Sequence, residues 1–188
     1  KKISIFVIIR VLAQKPIKLK LPVIMRTLTL LIVMFIGFLS TTLTAQNTIY
    51  LDDNWQKTSK ENHEYYRPAP KAINNGFWIV DYYKDGQVQM EGYSKNKELN
   101  NEVFEGLIMY YHPNGKLFHK ANYINGKLDG DRKVFYETGE LKEQGEYTNG
   151  QRDGIWKTFY KNGKIETKGK YRDNEKVGVW KTFYKNVY

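Results

Sequence analysis

The stretch WKTFYKNGKIETKGKY, Trp156 to Tyr171, places two runs of aromatic and β-branched residues on either side of Asn162-Gly163. An Asn-Gly pair between such runs favours a two-residue type I′ hairpin turn, because both turn positions take positive φ. That turn sets Tyr160 opposite Ile165, Thr158 opposite Thr167 and Trp156 opposite Gly169. With a period of two, these residues and Tyr171 share one side of a sheet. Ile155, Lys157 and Phe159 take the other side, opposite Lys170, Lys168 and Glu166. A tryptophan across from a glycine shields bare backbone, so the register predicts that Trp156 covers Gly169.

The opening heptapeptide WKTFYKN returns at Trp180 to Asn186, 24 residues further on. The same shift aligns residues 106–129, 130–153 and 154–177 without gaps, with a partial copy at 178–188. Glycines recur at Gly106, Gly130, Gly154 and Gly178, and tyrosines at Tyr123, Tyr147 and Tyr171. Tyr136, Tyr160 and Tyr184 fill a further column, in which the earliest copy has His112. A degenerate copy, IVDYYKDGQVQMEGY, spans Ile79 to Tyr93, and the insert SKNKELNNEVFE separates it from the regular array. A second turn, Asn125-Gly126 or Asn149-Gly150, leads from one hairpin to the next.

The expected fold is therefore all-β: a single-layer antiparallel meander of 24-residue hairpin repeats, each unit meeting only its neighbours. One side carries an aromatic stripe and the other a Lys/Glu lattice with Phe embedded in it. No helical period appears after Ala45. The last copy has no Asn-Gly after its first strand, so Trp180 reads as an edge lacking its glycine partner, open to pairing with another chain or a second copy.

Composition agrees. From Gly106 to Tyr188 there are twelve Ile, Leu and Val against fifteen Phe, Tyr and Trp. Thick cores draw mainly on aliphatic side chains, whereas tyrosine suits a half-wet surface.

Residues 25–46, MRTLTLLIVMFIGFLSTTLTAQ, have a short basic start, an apolar run from Leu28 to Leu39 and a small polar end. This is the layout of a secretory signal peptide, with cleavage expected after Ala45. The apolar run falls well short of the roughly 20 residues that a membrane-spanning helix needs. Residues 1–24 precede a convincing start at Met25 and are read as upstream sequence outside the native protein. Without residues 1–45 the chain keeps 23 of its 30 basic residues and all 20 acidic ones, a charge of +3. These charges alternate along the chain, which argues against nucleic acid as a partner. Residues 46–76 read as a partly irregular leader, with a strand near Thr48–Leu51 and an extended RPAP segment. Residues 77–105 hold the degenerate copy and the insert.

The recurring G-x-W-K-x-F-Y-x-N-G-K-x-x-x-x-G-x-Y-x-N-G-x-x-D-G resembles the bacterial variant of the MORN repeat found in YwqK-like antitoxins. The resemblance runs from about Phe77 to Asn186, and Ile49 to Pro68 resembles the leader of exported members from Bacteroidetes-like bacteria. It implies a single-layer sheet that binds proteins, by name a partner toxin, and MORN arrays are also associated with lipid head groups.

No nucleophile motif or phosphate loop is visible, so no catalytic residue is assigned, and no cofactor. His112 and His119 lie diagonally on one face, but a zinc site needs three protein ligands, so no metal site is assigned. The candidate binding face is the aromatic stripe of Tyr136, Tyr147, Trp156, Tyr160, Tyr171, Trp180 and Tyr184. The expected function is an exported, non-enzymatic protein-interaction module in the periplasm, on the outer surface or secreted. Its partner would be a toxin or an envelope protein. Binding of cell-wall glycan or anionic lipid is the alternative.

Overall fold

The computed structural model describes residues 48–184. The expected signal peptide, residues 25–45, and residues 1–24 lie outside the described residues. The described chain forms one twelve-stranded antiparallel sheet. Its strands are β1 (Ile49–Leu51), β2 (Tyr65–Arg67), β3 (Lys71–Ile73), β4 (Gly76–Tyr83), β5 (Val88–Ser94) and β6 (Gly106–Tyr111). They continue with β7 (Leu117–Ile124), β8 (Lys127–Phe135), β9 (Leu141–Thr148), β10 (Gln151–Phe159), β11 (Ile165–Arg172) and β12 (Glu175–Thr182). From β4 onward each strand pairs with the next in sequence. β2 and β3 lie end to end along β4, one on Tyr82 and Tyr83, the other on Gly76 to Trp78. Between them run Pro68 and Pro70, which lack the N–H a continuous ladder needs.

The predicted backbone pairs Thr158–Thr167 and Trp156–Gly169 are present. The turn between them differs from the expected one. Gly163 has φ of 79°, but Asn162 is not among the positive-φ residues. The N–H of Gly163 donates to the carbonyl of Tyr160, and the N–H of Tyr160 to the carbonyl of Lys164. This is a type I turn closed by a glycine bulge, so Tyr160 faces Lys164 and Phe159 faces Ile165. Asn162 uses its side chain instead, accepting the N–H of Lys164 at 3.1 Å. Type I′ geometry occurs at the other turn of the repeat, where Asn125 and Gly126, Asn149 and Gly150, and Asp173 and Asn174 all have positive φ.

A second departure follows from the repeated glycines of the outgoing strands. Gly130, Gly154 and Gly178 have φ of 97°, 73° and 66°. Each lies where the pairing to the preceding hairpin slips, after Leu128, Asp153 and Val177. The slip brings Trp156 level with Gly145 of β9 as well as Gly169 of β11. Its indole lies over Gly145, where an added Cβ would fall inside the ring, and Trp180 covers Gly169 in the same way. The expectation that Trp156 covers Gly169 is thus corrected, as is the reading of Trp180 as lacking its glycine. The cause is the bulge: Trp156 Nε1 donates at 3.2 Å to the carbonyls of Glu146 and Asp153, which flank it. Ile108 covers Gly92 at the equivalent place. Each large side chain therefore fastens its own hairpin to the one before.

Candidate binding faces

One face of the sheet is occupied by its own side chains. Ile79, Met90, Ile108, Ala121, Val134 and Trp156 are buried there. Around Trp156 the rings of Tyr147 and Tyr171 stand edge-on at 5.3 and 5.6 Å, and Tyr171 meets Trp180 at 5.0 Å. The Arg152 guanidinium lies over Trp156 at 4.4 Å and reaches the Tyr171 hydroxyl at 3.2 Å. Lys176, one repeat later, lies over Trp180 at 4.5 Å. Such cation–π contacts add to the packing of aromatic rows.

The tyrosine column ties hairpins together. The hydroxyl of Tyr136 donates to the carbonyl of Phe159 at 2.7 Å, and that of Tyr160 to the carbonyl of Phe183 at 2.9 Å. Tyr83, in the degenerate copy, does the same to Tyr111 at 2.7 Å. His112 keeps the pattern with Nε2 at 3.3 Å from the carbonyl of Phe135, which makes that nitrogen the protonated one. Histidine in the tyrosine column thus keeps the column's hydrogen bond.

Of the seven predicted face residues, Trp156 is buried. Tyr136, Tyr147, Tyr160, Tyr171 and Trp180 are half-buried in these internal contacts, and Tyr184 is exposed. His119 is packed inside, stacked on Tyr110 at 4.2 Å with Nδ1 buried and without a hydrogen bond. Burial, helped by the charge of Arg132, pulls its pKa from 6.5 down to about 4. The unfolded chain therefore takes up a proton that the folded one refuses. Stability should fall as pH drops from 6.5 toward 4, by about 3 kcal/mol at most. Thermal melts at pH 7 and at acid pH should show this loss, and His119→Phe should flatten it. An unchanged pH dependence in that variant would contradict the assignment.

The opposite face is open. Its exposed apolar residues include Leu107, Ile155, Val179 and Phe183, with Val179 78% exposed. Ile155, Val177, Val179 and Phe183 line a groove of about 330 Å³ that Lys168, Lys170 and Lys181 border. This is the Lys/Glu face with embedded phenylalanines, and most of the exposed apolar side chains lie here, with Tyr184 of the aromatic stripe exposed as well.

Sequence reasoning missed a cluster at the N-terminal end. Arg67 and Asp81 are buried and paired through two bonds, Nε–Oδ1 at 2.6 Å and Nη2–Oδ2 at 2.7 Å, while Arg67 Nη1 also contacts Glu102. The signal was available: aligning the degenerate copy puts Asp81 in the column of Tyr110, Val134 and Thr158, where a lone carboxylate needs a cation.

Three consecutive stretches, residues 104–125, 128–149 and 152–173, match the family model of the MORN repeat variant. Over these three stretches the array is similar to the MORN repeat variant. Each matched stretch covers one hairpin, β6–β7, β8–β9 or β10–β11, apart from the first residue of β8 and of β10. The MORN spacing thus coincides with the spacing of the Trp-over-Gly contacts. No curated protein matches the chain closely enough to count as a relative.

Proposed function

We propose that this protein is a non-enzymatic interaction module that binds a protein partner on the open face of its MORN sheet. The observation that carries the reading is the division of labour between the faces. One is filled by its own rings and hydrogen bonds, while the other leaves Ile155, Val179 and Phe183 exposed beside a groove. Contiguous exposed apolar surface marks contact sites, and repeat sheets offer long surfaces for such contacts. The resemblance to YwqK-like antitoxins supports a finer form, in which binding neutralises a toxin by covering it. The signal-peptide layout of residues 25–45 supports an exported protein, whose partner is then an envelope or extracellular protein.

The test is capture of partners from envelope extract by the tagged chain, alongside sedimentation with peptidoglycan and anionic vesicles. Ile155→Glu plus Val179→Glu should abolish capture of a specific protein without lowering the melting temperature by more than a few degrees. Sedimentation with glycan or lipid, with no protein captured, would contradict the proposal.

A further inference from the structure

The open face sorts its charges in a way that the linear sequence hides. Lys120 stands opposite Lys133, Lys133 opposite Gln144, and Gln144 opposite Lys157. Lys157 stands opposite Lys168, and Lys168 opposite Lys181. These residues form one row across β7 to β12, about 24 Å long at about 4.8 Å per strand. Among the described residues, none of these five lysines forms an ion pair. Like charges directly opposite weaken a sheet, so the fold gains nothing from the three Lys–Lys pairs. Local rules broken without structural return are expected at functional surfaces.

Two other rows flank the lysines. Phe135, Phe159 and Phe183 follow on one side by strand alternation. Asp131, Glu146 and Asp153 pair directly with one another on the other.

We propose that the lysine row seats an extended acidic segment of a protein partner, laid across the strands. Its carboxylates would meet the ammonium groups and its apolar side chains the phenylalanine flank. This rests on the interaction-module reading and supplies the partner's chemistry. The acidic row decides against broader occupants. A membrane surface or a nucleic-acid duplex presents a plane of negative charge, and would meet Asp131 and Glu146 about 7 Å from the lysines. A single extended chain is narrow enough to lie over the row alone.

The test uses the full chain and a fluorescent oligo-glutamate peptide, with oligo-lysine, a single-stranded oligonucleotide and phosphatidylserine vesicles as comparisons. Oligo-glutamate should bind, more weakly as salt rises. Lys157→Gln plus Lys168→Gln should weaken that binding about tenfold or more. The melting temperature of this variant should stay the same or rise, since a like-charge pair is removed. Lys161→Gln plus Lys164→Gln, at the exposed turn, should leave binding nearly unchanged. Absence of oligo-glutamate binding, binding that survives loss of the row, or preference for the oligonucleotide or vesicles would each overturn the proposal. The two readings fail separately. A captured protein that tolerates Lys157→Gln plus Lys168→Gln refutes the row and leaves the module standing, whereas vesicle or peptidoglycan binding in place of protein capture removes both.

Discussion

Trp156→Ala is expected to destabilise the protein by about 3–5 kcal/mol, the usual cost of deleting a buried aromatic side chain. The indole is buried, touches Tyr147 and Tyr171 edge-on, carries Arg152 on its face and holds two carbonyls at the bulge. For a domain of this size the melting temperature should fall on the order of 10 °C. Gly145→Ala should also be costly, about 1–3 kcal/mol or more, because the new methyl group meets the ring. The informative result is the double-mutant cycle. Once Trp156 is alanine, Gly145→Ala should become nearly harmless, a strong coupling. Gly169→Ala should instead add to Trp156→Ala and couple to Trp180→Ala. Coupling of Trp156 to Gly169 would restore the register-only reading and refute the link between hairpins.

The second large effect lies at the other end of the sheet. Arg67→Ala leaves the Asp81 and Glu102 carboxylates without their cation, with Asp81 fully buried. Removing one member of a buried ion pair typically costs about 3–5 kcal/mol. Replacing the group together, Arg67→Leu with Asp81→Leu and Glu102→Gln, should recover most of that loss, since no charge is then stranded. Chemical denaturation of the single and triple variants checks this. Equal destabilisation of the two would mean that packing of the Arg67 stem, rather than charge, holds β2 to β4.

Much of this was legible in the sequence, and the exceptions have physical causes. The repeat, the antiparallel order and the backbone pairs Thr158–Thr167 and Trp156–Gly169 follow from a period of 24 and a period of two. The turn type at Asn162-Gly163 was misread because Asn-Gly suits both geometries. Thr138, its counterpart in the preceding repeat, disfavours positive φ as a β-branched residue and already pointed to the type I turn. Which glycine each tryptophan covers depends on the bulges at Gly154 and Gly178, and a strict alternation cannot register a slip. Because of that slip, Trp156 and Trp180 each fasten a hairpin to the one before it. The lysine row was hidden for a related reason. Lys and Glu alternate along each strand's neighbourhood in sequence, and only pairing across strands separates them into rows. The Arg67 cluster joins three segments outside the regular array: the degenerate copy places Asp81 in a packed column, but no period locates its partners Arg67 and Glu102.

A partner bound as proposed meets the open face of the sheet. Lysine-selective labelling with mass spectrometry, done on the protein with and without its captured partner, measures this directly. Protection of Lys133, Lys157, Lys168 and Lys181, with Lys161, Lys164 and Lys127 still reactive at the turns, is the predicted result. Protection confined to the turn lysines, with the row fully reactive in the complex, would contradict it.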